Sequence, residues 1–450
     1  PPLAYVANGA VWGMLQITLS GAEADGMAKF RCVMDETLRK LVAEGLDPRL
    51  VEGAVNRLDF ALREASFSGV YARIMSAIYV LQDWNYGAKI GAGLSYEREI
   101  EAIREKAGKR YFEGLIEKYL LDNDNAAFVT LKPEKGLLAR QEAAERERLA
   151  KVKAGMSGAE LARVKDAAEK LRAWQQTPDS PEALAAIPRL TLADVERKAT
   201  PFPVEESECG KVKLLWHDAF TAGIAYVTAM FDLGGFSQEE WKDAALLAYL
   251  LDKLGTKNRS FEELAKDIDV STGGIVSECR AIRRKDQNVY PYLGVTLRCV
   301  TDKLPEGLAL MEDILTGANT DDRTRLAQLV RTLNAALQLE LQDNAYQYAA
   351  YRNRSYYHEE AAVMDAAAGL GFYEHVARAA KSLPGGADAL AQRLGLLARK
   401  LFAGAKLTLA LTGQREQLDA FAANADRLTQ NLPEESAQAR ATGFAERIRN

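Results

Sequence analysis

Histidine is the scarcest chemically versatile residue in this chain, three in 450, and cysteine follows with four. Cys32, Cys209, Cys279 and Cys299 are scattered and never form C-x-x-C, so the spacing suggests neither a disulfide framework nor a thiolate zinc site. A reducing, cytoplasmic compartment is the expectation. Long apolar runs are also missing. Ala219 to Phe231 is uncharged but only 13 residues long and is broken by Thr221, Gly223 and Thr228, whereas a spanning helix needs about 20 apolar residues. There is no excess of positive charge: 58 Lys and Arg stand against 63 Asp and Glu, a net charge of -5. That is the wrong sign for covering nucleic acid or an anionic membrane, and neither is expected as a partner. The opening Pro1-Pro2-Leu3 carries neither a start Met nor a signal-peptide pattern, and the expectation is an internal fragment of a longer protein.

What is present is apolar content of 48%, enough for several cores and, at this length, about three domains. A β-rich run, Val11 to Leu19, leads through an acidic start (Glu23, Asp25) to a helical stripe of Met27, Phe30, Val33, Met34, Leu38 and Leu41. The turn Glu44 to Arg49 then precedes a second helix through Leu50, Ala54, Leu58 and Leu62. The same order returns later: a strand at Leu293 to Val300, a helix from Leu304 to Leu315, a turn at Asp321 to Arg323, and a long helix from Leu326 to Leu341. Each copy is expected to close on a strand, Ala127 to Leu131 in the first and Lys406 to Leu411 in the second, followed there by a helix from Gln414 to Leu428. Before the second copy lie a strand at Ile224 to Phe231 and a helix from Gln238 to Leu254, with no counterpart before Val11.

The predicted fold is α+β, with mostly antiparallel sheets, helices packed on one face, and modules joined by a helical hairpin. Residues 1–133 read as the rear half of one module, 134–205 as hairpin and linker, 206–432 as a complete module, and 433–450 as a linker to a further one. The hairpin rests on two amphipathic runs, Leu137 to Val152 and Leu161 to Trp174, parted by Gly155-Met156-Ser157-Gly158. Ser157 with Glu160 three residues on is a capping-box signal. Pro178, Pro181, Pro188, Pro201 and Pro203 predict an extended linker.

No chemistry can be built on so few histidines. Gly371-Phe372-Tyr373-Glu374-His375 would be H-x-x-E-H if its first residue were His, but glycine has no ligand atom, so it reads as a chance match. His358 follows a tyrosine-rich run and reads as a surface or interface residue; His217, beside Trp216 at an expected strand start, reads as structural. Ser271-Thr272-Gly273-Gly274 lacks the P-loop context and reads as a tight turn into a strand. Asp122-Asn123-Asp124-Asn125 lacks the glycine and final acid of a calcium loop and reads as a turn. The mixed charge of residues 134–172, ten basic and seven acidic, is that of a solvated surface. No catalytic or metal residue is predicted, and substrate-binding residues are unknown.

The stretch Ser260 to Ile275, with Phe231-Asp232-Leu233 and Leu254-Gly255-Thr256 before it, resembles the third module of presequence-protease-type zinc peptidases of the pitrilysin/insulinase superfamily. Pro188 to Val195 is similar to that family's linker exit, and Leu15-Gln16-Ile17 with Glu44-Gly45-Leu46 to the rear of its second module. The resemblance implies a four-module endopeptidase whose halves, joined by the hairpin, close around a chamber for short unstructured peptides. It implies zinc in the full-length protein, held by H-x-x-E-H and a downstream Glu in the first module. No H-x-x-E-H occurs here, so the expectation is a chain that binds no zinc, is inactive alone, and has as partners peptide substrates and the first and fourth modules of its own protein. A non-catalytic scaffold or partner subunit built from the same modules, and a peptide binder using a sheet edge, are the alternatives.

Overall fold

The computed structural model describes residues 3–7, 14–19, 26–65, 69–91, 94–195, 197–198, 202–283, 288–403, 407–430 and 432. Val11 to Gly13, Glu23, Asp25, Lys406 and the linker proposed at 433–450 lie outside them. The chain runs β1 (Leu3–Ala7), β2 (Met14–Thr18), α1 (Met27–Glu44), α2 (Pro48–Ala65), α3 (Gly69–Asn85), α4 (Glu97–Ala107) and α5 (Tyr111–Ile116). Then come α6 (Leu137–Gly155), α7 (Gly158–Gln176), α8 (Pro181–Ala186), β3 (Glu205–Cys209), β4 (Val212–His217), β5 (Ile224–Asp232), α9 (Gln238–Leu250) and α10 (Phe261–Ser271). It continues with β6 (Gly274–Arg283), β7 (Val289–Val300), α11 (Leu304–Gly317), α12 (Arg323–Asp343), α13 (Ala345–Ser355), α14 (Glu359–Ala368), α15 (Leu370–Leu401), β8 (Leu407–Thr412), α16 (Arg415–Ala422) and α17 (Asp426–Gln430). Pro384 and Gly385 interrupt α15 with non-helical backbone, because proline supplies no N–H to the ladder.

Two compact units result, one of Pro1–Pro2, Thr18–Asp35 and Asn123–Pro201, the other of Leu3–Ile17, Glu36–Asp122 and Phe202–Asn450. In the first, α6 and α7 fall where the amphipathic runs predict. The capping box forms: the Glu160 backbone N–H donates to Ser157 Oγ (3.3 Å) and the Ser157 N–H to Glu160 Oε2 (2.8 Å). The apolar side chains stay accessible, Leu149 at 50%, Val164 at 50% and Trp174 at 75%. Two expectations are corrected. The proline-spaced linker contains the short helix α8, because Pro181 sits at the first helical position, where its missing N–H costs nothing, and Ser180 caps it. Ala127–Leu131 forms no strand. Leu131 is 92% exposed, and no strand among the described residues lies beside it to supply ladder partners. Strand propensity without a partner leaves the backbone to water, and Phe128 instead lies under the Arg31 guanidinium, 4.1 Å from its ring centre.

The second unit is built on a six-stranded sheet in the order β3-β4-β8-β5-β7-β6, antiparallel throughout except for β4 beside β8. Its registers stack like residues. Leu293, Phe231 and Leu407 form one row, Val295, Ala229 and Leu409 the next, Leu297, Val227 and Leu411 a third. All nine are buried. Their neighbours in sequence, Tyr226, Thr228, Thr296, Arg298 and Thr412, line the other, half-exposed face, as the two-residue period of a strand requires. Trp241 of α9 and Leu308 and Met311 of α11 fill the core with the buried rows, and the Phe402 ring meets Phe231 edge-on at 4.9 Å. The α+β reading with a mostly antiparallel sheet and packed helices is what the structure shows. The helix expected at Gln414 to Leu428 is divided into α16 and α17.

Two of the helices that flank this sheet start on the same device as α7. Ser237 with Glu240 begins α9 and Ser260 with Glu263 begins α10, each pair exchanging the two bonds of a capping box. Replacing Ser260 by Ala is expected to lower stability by about 1 kcal/mol and Ser260→Gly by only a few tenths. Urea unfolding of the two variants beside the parent chain checks it; an Ala variant as stable as the parent would show that the side-chain oxygen contributes nothing.

Candidate functional site

Helix α2 packs against α10 through buried Gly53, Val55, Asp59 and Phe60, whereas Leu50, Ala54 and Leu58 of its expected apolar stripe stay exposed. Contact is close because glycine stands on both sides: a Cβ at Gly53 of α2 already approaches Asp269 Cβ to 3.1 Å. At Gly273, in the turn, the buried Phe60 ring occupies the space any Cβ would need. The turn expected at Ser271 to Gly274 is therefore present, but Gly273 serves a ring 213 residues earlier in the chain. Gly274, at φ +119, takes a backbone conformation that side chains disfavour.

Around that socket the charges are paired. Asn56 Nδ2 donates to the Val270 carbonyl (2.7 Å), Lys266 Nζ to Asp47 Oδ2 (2.9 Å), and Arg49 bonds Asp267. On the open face of the sheet, Tyr226 Oη donates to Glu64 Oε1 (2.9 Å), and Arg298 Nη1 stands 3.5 Å from Glu64 Oε2. Burial, and then the Glu64 carboxylate, push the Tyr226 hydroxyl well above the usual tyrosine range.

Beside the junction opens a cleft of about 730 Å³, lined among others by Glu52, Asp59, Arg63, Arg104, Glu113 and Lys303. Its central acid, Asp59, is buried and accepts from Arg63 Nε (2.9 Å) and from Arg104 Nη2 (2.9 Å). The bond to Asp59 raises the Arg63 pKa. Glu113 accepts the Leu46 backbone N–H (2.9 Å), which holds its carboxyl below the ordinary range. Asp59 and Glu113 are thus already committed to donors. The arrangement suits positioning of the surrounding helices and recognition by charge, and offers no nucleophile with an adjacent base.

The three histidines fall in separate settings. His217 ends β4 rather than starting it, and its carbonyl accepts the Gly413 N–H at 3.1 Å. His358 is the exposed residue before α14, its ring edge-on to Tyr357 at 5.1 Å. His375 is 6% exposed and its Nε2 lies 2.9 Å from Oδ1 of Asp243, itself 5% exposed. Arg393 donates to both oxygens of the same carboxylate, at 2.8 and 3.1 Å, and Glu239 lies 3.4 Å from His375 Nδ1. Burial opposes ionisation of Asp243, but the bonds from His375 and Arg393 outweigh it and hold the carboxyl below its ordinary value. No spacing rule could find this cluster, since Asp243 lies 132 and 150 residues from its two partners.

This cluster does not fit zinc. The guanidinium of Arg393 already holds both oxygens that a cation would need, and no group of three or more His, Cys, Asp or Glu that could hold a metal occurs among the described residues. The Asp122 to Asn125 segment is a simple turn, with the Asn125 N–H bonded to Asn123 Oδ1 at 2.8 Å. Cys279 and Cys299 are buried, and burial raises both thiols, that of Cys299 to about 12.

Comparison with known proteins adds what the site alone lacks. The family model for the associated region of M16 peptidases, subfamily C, matches residues 131–378, from just before α6 into α15. Protein HypA of Clostridium perfringens is 30% identical over 360 residues, covering 80% of this chain and 37% of that protein. Presequence protease 1, chloroplastic/mitochondrial, of Arabidopsis thaliana is 28% identical over 442 residues, covering 96% of this chain and 41% of the relative. The chain thus spans less than half the length of the curated relatives it matches. A peptidase M16 inactive domain from Pseudomonas fluorescens is 17% identical with a TM-score of 0.38 over 53% of each chain, too distant to carry an argument.

Two outcomes follow from the geometry. Gly273→Ala is expected to cost about 1–3 kcal/mol by overpacking against Phe60, and clearly less in a Phe60→Ala background; a double-mutant cycle in urea reads the coupling. Asp243 has a lowered native pKa, so its contribution is complete above the unfolded value of 3.8 and fades as pH falls through the native one. Asp243→Asn is expected to lower stability by about 2 kcal/mol at pH 7 and to flatten the loss of Tm as pH falls below the unfolded value of 3.8. An unchanged acid limb in thermal scans would refute the assignment.

Proposed function

The chain belongs to the family associated with M16 peptidases of subfamily C, and from that premise we propose that it is the middle part of a zinc-dependent endopeptidase that degrades short unstructured peptides in a closed chamber. The observation that carries the reading is the family match over residues 131–378, which takes in α6, α7 and most of the six-stranded module. In this reading residues 1–133 are the rear of the second module, 134–205 join the two halves, and 206–432 are the third module. The rest of the protein supplies the zinc site and the remaining modules, and the zinc acts there as a Lewis acid on water.

The role of this part is wall and hinge. The half-exposed sheet face with Tyr226, Thr228, Thr296 and Arg298 supports the first, since it is polar rather than apolar although Glu64 of α2 already engages Tyr226 and Arg298. The accessible helices α6 and α7 support the second, because a segment that joins two halves through rigid-body closure must not be locked into either core. Peptide enters by opening and is isolated from solvent on closing.

The test is activity of the longest natural chain that contains this sequence against this chain alone. The expected result is cleavage of a short unstructured peptide by the former, abolished by a zinc chelator and restored by zinc, with no turnover by the latter. Metal-dependent, chelator-sensitive cleavage by the pure 450-residue chain would overturn the division of labour. A long chain inert with zinc would overturn the enzymatic reading itself.

A further inference from the structure

The larger unit brings together two stretches of chain, Glu36–Asp122 and Phe202–Asn450, that are far apart in sequence. The hydrophobic core of the second stretch runs from Val212 to Leu432 and takes in no residue of the first. None of the backbone hydrogen bonds between described residues joins the two stretches, and no strand of one pairs with a strand of the other. The seam between α2 and the six-stranded module is therefore held through side chains. Its largest apolar piece is the Phe60 ring, which fills the space over Gly273 and has the Arg298 guanidinium 5.7 Å from its centre.

The rest of the seam is charge. Asp47 and Arg49, where α2 begins, meet Lys266 and Asp267 of α10, and Arg57 Nη1 stands 3.5 Å from Asp269 Oδ1. Glu52 Oε1 lies 3.9 Å from Lys303 Nζ, just before α11, and Glu64 Oε2 3.5 Å from Arg298 Nη1 of β7. Along α2 the signs alternate, acid, base, acid, base, acid, and the module presents the complement. Moving every α2 group one place along that order would set like charges against each other at each position, so the pattern admits one register. Most of these groups are partly exposed. The cleft of about 730 Å³ opens at the same place, with Glu52 and Asp59 of α2 in its lining and Thr272, Asp302 and Lys303 of the module. A contact buried once and for all is apolar, whereas one whose two surfaces must meet water again between encounters is polar and coded by charge.

We propose that this seam is a releasable joint. Helix α2, with α4 tied to it through Asp59 and Arg104, and the six-stranded module part as two folded bodies and dock again in the one register the charge pairs allow. The Phe60 ring enters the Gly273 socket only on docking, so the ring fixes the closeness of approach and the charges fix the alignment. Ionic strength is the lever, since the screening length falls from about 10 Å at 0.1 M to about 3 Å at 1 M, below the reach of a partly exposed pair. Neither body has to unfold, because the core of the module is complete without α2. The inference rests on the proposed function in that it takes the two stretches as parts of halves that close on one another, and it adds what holds them shut.

The experiment uses the whole 450-residue chain with Cys32→Ser and Cys209→Ser, and with Val55→Cys as a buried reporter on the seam face of α2. Maleimide labelling is followed by peptide mass spectrometry at about 0.1 M and about 1 M NaCl, with Cys299, buried in the module core, as the internal marker of unfolding. The introduced thiol is expected to react about tenfold faster at the higher salt while Cys299 stays protected. Arg57→Asp and Asp269→Arg should each speed its labelling, and the two together should return it to the parent rate, since exchanged charges still pair. A rate independent of salt, a Cys299 that reacts in step with the reporter, or a double variant no slower than the single ones would each overturn the proposal. Amide exchange of the unsubstituted chain gives a second reading: protection lost with salt in α2 and α10 but kept in β5 and β7 is expected, and uniform loss or no loss would overturn it. No turnover is measured, so failure here and failure of the peptidase reading are told apart.

Discussion

Everything in the larger unit depends on one constraint: the buried residues of β5, β7 and β8 share a register, so that Val227, Ala229 and Phe231 meet like residues on both neighbours and on the same face. A slip of one residue would turn all three rows to the other face and bring Tyr226, Thr228 and Arg298 into the core. With the rows fixed, α9 and α11 have one place to bury their apolar stripes. The opposite face is left with hydroxyls and Arg298, which is why a second layer, α2, can meet it through Glu64 and Phe60 rather than through a greasy seam.

That second contact has a different character. It is made by shape at Gly53 and Gly273 and by charge pairs around them, many partly exposed, each worth little alone. The specificity comes from the missing Cβ at Gly273, which only a ring placed like Phe60 exploits. The buried Asp243–His375–Arg393 cluster works in the same way within the helical layer. It joins α9 to both stretches of α15 across the interruption at Pro384, so that a broken helix is held as one element. A buried pair of this kind is a strong tie chiefly because removing one partner strands the others.

Function in such a chain is distributed. The cleft beside α2 is bounded by elements that meet only after folding, and its acids Asp59 and Glu113 are committed to donors within the protein. This fits a chain that is less than half of the curated relatives it matches.

The sequence by itself determined the periodic elements. The strand at Leu293 to Val300, the helices from Leu304 and Leu326, and the capping box at Ser157 are written in local spacing, and the same S-x-x-E signal at Ser237 and Ser260 was there to be used. The Ser260 to Ile275 stretch also carried the family. Only the tertiary structure decided whether a strand had a neighbour, which Ala127–Leu131 lacks among the described residues, and whether a turn glycine served its turn or a distant ring, as Gly273 does. It alone gave His375 a role, through Asp243, 132 residues before it, whose carboxylate Arg393 holds from the other side. The reason is physical: backbone periodicity is set by neighbours within a few residues, whereas pairing, close approach and charge compensation depend on which surfaces folding brings together.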